Sequence, residues 1–156
     1  MCAATVRTKP VGGIRAVAVI PSLGAAATGS PAEVAAAAVG VPLAEGRSQY
    51  EERVEADAGA VRVEHRLTIA MPADYARQLL TEELCRRWTE QGTAAVVETE
   101  SGERLVVGWS ERMGAEQPLR LVSAEFGSGL TPQSVPVAIL TLRSADTAPA
   151  VRIQNP

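Results

Sequence analysis

Apolar and polar residues alternate with period two over Val61–Met71. Val61, Val63, His65, Leu67, Ile69 and Met71 fall on one side, and Arg62, Glu64, Arg66 and Thr68 on the other. A β-strand sends successive side chains to opposite faces, so this run predicts a strand with one buried and one wet face. Gln49–Ala56, joined to it by the turn-like Asp57-Ala58-Gly59-Ala60, predicts its hairpin partner. Pro72 closes the strand and the period changes. From Ala73 to about Gln91, Tyr75 or Ala76, Leu79, Leu80, Leu84 and Trp88 recur every three or four positions, with charged residues filling the other side. That spacing predicts one amphipathic helix, and Gly92 falls where a helix is commonly closed.

The flanking regions add strands. Gly13–Ile20 is β-branched and apolar, Ala94–Thr99 and Arg104–Trp109 form a hairpin across Glu100–Glu103, and Leu119–Phe126 and Val135–Arg143 complete the set. Pro136 gives the last strand an edge or bulged entry. Residues 21–46 differ, being rich in Ala and Gly with Pro21, Pro31 and Pro42. Ser30, Pro31 and Glu33 can start a short helix with Val34–Val39 as its body and Gly40 as its end; the same stretch also suits a small-residue loop. The order predicts an α+β, mostly β chain. Its architecture is an antiparallel β-sandwich or open barrel with one main flanking helix at about 73–91. The expected organisation is an N-terminal arm at 1–12, a single β-rich domain over 13–143 with the small-residue insert at 21–46, and a C-terminal tail at 144–156.

Composition sharpens this picture. The 156 residues suit one domain, and the 46% hydrophobic fraction is largely Ala and Val. Tyr50, Tyr75, Trp88, Trp109 and Phe126 are all the aromatics, so the core must be built from aliphatic side chains with the tryptophans as its largest pieces. Fifteen basic and 18 acidic residues are scattered along the chain, giving a net charge of −3. Without a basic stripe or a stacking platform, specific nucleic-acid recognition is not expected. Ala16–Ile20 and Val34–Val39, the longest apolar runs, are far below the roughly 20 residues of a membrane span. Pro10, Gly12, Gly13 and Arg15 interrupt the run a signal peptide would need.

The search for chemistry yields little. Cys2 and Cys85 read as free thiols, and a lone histidine without a Cys-x-x-C pair offers no zinc site. A Ser-His or Cys-His nucleophile would have to use His65, which lies on the apolar face of a strand. Glu51/Glu52, Glu82/Glu83 and Glu98/Glu100 are adjacent acids, but Glu82 and Glu83 pair naturally with Arg86 and Arg87, and Glu98 and Glu100 flank a hairpin tip. Gly12-Gly13 precedes a strand where a phosphate loop would follow one, and Gly24-x-x-x-x-Gly29-Ser30 lacks the phosphate-binding lysine. Trp88 and Trp109 read as core, not as ligand-stacking groups. No catalytic, cofactor-binding or metal-ligating residue is expected, and no enzyme activity.

The succession of a period-two strand (VEHRLTIAM), a helix (ADYARQLLTEELCRRW), a hairpin (AAVVETESGERLVVGW), a strand (PLRLVSAEF), a loop (GSGLTPQS) and a final strand (VPVAILTLRS) resembles the tail-tube type of phage and prophage structural protein. The resemblance covers Val61–Val151. It implies a β-sandwich with a flanking helix that self-assembles into rings, commonly sixfold, without cofactor or catalysis. Its partners would be copies of itself and other particle proteins, first in the host bacterial cytoplasm and then in the particle. Residues 21–46 would reach a neighbouring ring. Tail-completion or head–tail joining subunits fit the same pattern. The alternative from the residues alone is a small adaptor that binds other proteins through a sheet edge or a loop surface.

Overall fold

Alternation at the predicted positions builds two antiparallel sheets. The computed structural model describes residues 13–20, 35–36, 38–44, 48–108, 118–127, 136–146 and 151–153. The expected arm at 1–12, the helix start at Ser30–Glu33, Trp109, most of the 127–134 loop and the chain end therefore lie outside the described residues. One sheet has five strands in the order β2-β1-β5-β6-β9: β1 is Ile14–Val19, β2 Val39–Val41, β5 Ala95–Thr99, β6 Arg104–Val107 and β9 Val151–Ile153. The other has four, in the order β3-β4-β8-β7: β3 is Gln49–Asp57, β4 Ala60–Pro72, β7 Arg120–Gly127 and β8 Val137–Asp146. All pairings are antiparallel, and the sheets face each other as a sandwich instead of closing into a barrel.

The core lies between them. Val17, Val19 and Val97 from the five-stranded sheet meet Leu67, Leu140 and Leu142 from the four-stranded sheet, all essentially inaccessible to water. Each such side chain contributes roughly 1.5–3 kcal/mol on burial. The five-stranded sheet is also covered behind. Ile20, Ala94, Val96 and Val106 form a second cluster with Ala35 and Ala38 packed on it. Small residues allow that segment to approach the sheet closely, which accounts for the alanine content of at least this part of the insert.

Three expectations need correction. The single helix at 73–91 is two helices, α1 (Ala73–Leu79) and α2 (Glu82–Glu90). Thr81 adopts an extended backbone and its hydroxyl accepts from the Leu84 amide, capping α2, while Glu82 and Glu83 favour its positive end. Val39 and Gly40 do not end a helix; they belong to β2 and pair with β1. The segment read as a tail is partly strand, with β8 running to Asp146 and β9 pairing with β6. Gly92 does close α2, with φ +78° and its amide on the Arg87 carbonyl.

The helices complete the core. Ala76 and Trp88 are buried in it, with Tyr75, Leu79, Leu80 and Leu84 packed around. α1 lies against β4 and β8, and α2 against β7. A bridge between Thr93 and Leu119 then stitches the two sheets together. Each amide donates to the other's carbonyl, at 2.7 and 2.8 Å. The Thr93 hydroxyl, buried at the same place, donates to the Ile20 carbonyl.

Candidate functional site

Among the described residues, the tip of the β3–β4 hairpin is a part of the sandwich that its own core does not cover. Its turn is two residues long, with Asp57 opposite Ala60 and positive φ at both Ala58 (50°) and Gly59 (85°). That conformation matches the twist of the two strands and keeps the hairpin straight. Register places Tyr50, Glu52, Val54 and Ala56 on the core-facing side of β3, opposite Leu67, His65, Val63 and Val61. Val63 is 1% exposed, yet its partner Val54 is 59% exposed and Val61 is 49% exposed. The hairpin thus overhangs the opposing sheet, and its apolar inner face continues past the point where the core ends.

A polar cluster marks that boundary. His65 is buried, and its Nδ1 lies 2.7 Å from the Tyr50 hydroxyl. The same hydroxyl is 2.7 Å from Glu52 Oε1, which is itself 3.7 Å from Nδ1. One hydroxyl proton cannot serve two acceptors. The Tyr50 hydroxyl can donate to the Glu52 carboxylate while accepting from His65 in its Nδ1–H tautomer, so one hydroxyl joins both groups. Burial, the hydrogen bond to Glu52 and the Glu52 charge, in that order, hold the Tyr50 hydroxyl far above the ordinary tyrosine range.

Across the sheet, Glu52, His65 and Ser144 stand in one row on β3, β4 and β8. These are the residue types of a hydrolytic triad. Ser144, on the inner face of β8 two residues beyond Leu142, was not singled out from the sequence, because a serine that continues an apolar alternation carries no signal of its own. His65 is only 3% exposed and Ser144 7%. A substrate carbonyl needs to come within about 3–3.5 Å of a nucleophile, and here the packed sheets occupy that space. The row is better suited to closing the core at the root of the overhang.

The other sequence candidates separate. Glu51 and Glu52, adjacent on β3, point to opposite faces. Glu82 and Glu83 pair with Arg86 and Arg87 on the exposed face of α2, and Glu98 and Glu100 both contact Arg15 at 3.7 Å. Cys85 is a free, partly exposed thiol on α2. Trp88 is core, and its indole Nε1 has no hydrogen-bond partner among the described residues. Among the described residues no group of three or more His, Cys, Asp and Glu side chains is placed to hold a metal, and no helix is long and apolar enough to cross a membrane.

The outer face of the four-stranded sheet is charged. Glu51, Arg53, Glu64, Arg66 and Arg143 line a shallow cleft of about 150 Å³, across which Arg143 and Glu64 form an ion pair. Comparison with protein-family models, with curated proteins and with solved structures finds no match to this chain.

Proposed function

We propose that this chain is a non-catalytic structural subunit that works by self-assembly. The observation that carries this reading is the overhanging β3–β4 hairpin with Val54 and Val61 exposed on its inner face. An isolated pair of strands extending past its sheet gains little for the monomer, but an apolar ledge on a rigid projection suits burial against another copy. The finer reading, a tail-tube-type or related subunit of a phage-like particle, rests on the sequence resemblance alone.

The edge of β3, an outer strand of its sheet among the described residues, is the natural place for an adaptor to receive a strand, and it favours that second reading less. Glu52 points inward from this edge strand, and a carboxylate there opposes the addition of another strand. The experiment is the native mass of the full chain by light scattering over a wide concentration range, with electron microscopy of the same sample. Oligomers, rings or tubes are the expected result. A monomer at every concentration would overturn self-assembly in favour of an adaptor.

A further inference from the structure

The outer face of the four-stranded sheet is a charge checkerboard. Along β3 run Glu51, Arg53 and Glu55, and directly opposite on β4 run Arg66, Glu64 and Arg62. The pattern then becomes unbalanced. Arg143 on β8 is opposite Arg66, and Arg120 on β7 is opposite Arg143. Three guanidinium groups therefore stand side by side across three strands. Like charges directly opposite destabilise a sheet, and among the described residues only Arg143 of the three has an ion-pair partner, Glu64.

α2 carries the complementary pattern. Glu82, Arg86 and Glu90 recur at four-residue steps on its exposed side, with Glu83 beside Glu82 in the first turn. Four helical residues rise about 6 Å, and two strand residues span about 6.6 Å. The minus-plus-minus stripe of α2 therefore matches the plus-minus-plus stripe Arg66-Glu64-Arg62 in both sign and spacing. The excess of arginine fixes the direction, because the paired acids Glu82 and Glu83 belong over the arginine row. The intrahelical pairs of α2 are largely exposed, so each is weak and exchanges readily for a better partner.

Building on the self-assembly reading, we infer that α2 of a second copy docks antiparallel to β4 on this face. Glu82 and Glu83 lie over Arg66, Arg143 and Arg120, Arg86 over Glu64, and Glu90 over Arg62. The two surfaces belong to different faces of one copy, so the contact is heterologous and propagates into a ring or a filament. A continuous polyanion fits this face less well. Glu51 and Glu64 line the same cleft, the chain has a net charge of −3, and among the described residues no aromatic side chain shares the face.

The test uses two variants of the full chain, Arg66→Glu/Arg120→Glu and Glu82→Arg/Glu83→Arg, with native mass measured by sedimentation at low and high salt. Each variant alone should dissociate at concentrations about tenfold or more above the wild type, because like charges now face each other. An equimolar mixture should restore assembly, since each reversed surface meets its reversed partner in alternation. Variants that assemble as the wild type does, or a mixture that fails to restore assembly, would overturn this contact while leaving self-assembly through the hairpin intact. A wild type that is monomeric throughout would overturn both. Single-stranded DNA binding by the wild type that is lost in Arg66→Glu/Arg120→Glu would assign the arginine row to a polyanion instead.

Discussion

The Tyr50 hydroxyl and His65 Nδ1 lie 2.7 Å apart with the two rings stacked at an interplanar angle of 11°, at the point where the core of the sandwich ends and the overhanging hairpin begins. Tyr50→Phe keeps the ring and removes the oxygen that links His65 to Glu52. Stability should fall by about 1–3 kcal/mol, the range for losing a part-buried hydroxyl that bonds both a ring nitrogen and a carboxylate. Urea denaturation of both proteins measures this. A change below a few tenths of a kcal/mol would mean that other groups or water satisfy His65 fully.

The same hydroxyl makes a prediction at alkaline pH. Tyr50 holds its proton far above the ordinary tyrosine range in the folded chain, whereas the unfolded chain releases it near pH 10. Below that pH both states carry the proton and the group adds no pH dependence. Above about pH 10 the unfolded state binds fewer protons, so stability falls as pH rises, by about 1.4 kcal/mol per unit for this one group. Tyr50→Phe should flatten that part of the profile. Parallel profiles for the two proteins would refute the assignment.

Glycine is required where the two sheets are stitched. Gly108 has φ +86°, and a Cβ there would come 2.8 Å from the Thr93 carbonyl oxygen and 2.9 Å from the Leu119 amide nitrogen. Gly102, at a hairpin turn with φ +92°, has nothing within 4 Å of the same position. Gly102→Ala should therefore cost only the backbone penalty, about 1–2 kcal/mol. Gly108→Ala adds a clash with backbone on both sides and should cost roughly 3 kcal/mol or more. Thermal unfolding of the two variants separates the effects, and equal losses would show that the bridge yields.

Where one face was buried and one wet, the chain's pattern carried the structure. Period two over Val61–Met71 announced β4, and Val61 and Ala70 depart from it: Val61 stays exposed beyond the opposing sheet, and Ala70, on the outer side, is buried where Ala44 and Ser48 bond its backbone. The break between α1 and α2 was also written in the chain, as Thr81-Glu82-Glu83, a capping residue followed by acids. The unbroken spacing of Leu80, Leu84 and Trp88 hid it, since those side chains keep facing the core across the break. β2 was missed for a different reason. Three residues beside a run of alanines have no period to read, and their strand character comes from pairing with β1. The candidate interaction surfaces were least legible, because each depends on register. Nothing in the sequence places Arg66, Arg143 and Arg120 in one row until three strands are aligned.

The two-residue turn at the hairpin tip leaves room for improvement. Ala58 occupies the left-handed region with φ 50°, which costs a residue with a Cβ about 1–2 kcal/mol. Asparagine tolerates that conformation better, and Asn-Gly is the preferred pair for this turn. Ala58→Asn should raise stability by about 0.5–1 kcal/mol, read as a shift of the urea midpoint at constant slope. Unchanged or lower stability would indicate that the tip does not hold this turn in solution.

The overhang itself separates folding from assembly. Val54 and Val61 face inward by register but remain 59% and 49% exposed, so in the monomer a polar replacement removes little buried apolar surface. Val54→Lys and Val61→Lys should therefore change unfolding free energy by no more than about 0.5 kcal/mol each, as surface substitutions do. If the ledge is buried between copies, the same changes place an ammonium group in an apolar contact, and association should weaken by about tenfold or more. Val63, their neighbour on β4, is 1% exposed, and Val63→Ala supplies the contrast: it should cost roughly 1–3 kcal/mol of stability by removing buried methyl groups, with the ledge left intact. Denaturation and sedimentation on the three variants read both quantities. Loss of assembly in the lysine variants at unchanged stability would assign the ledge to the interface, and unchanged assembly would remove the hairpin from it.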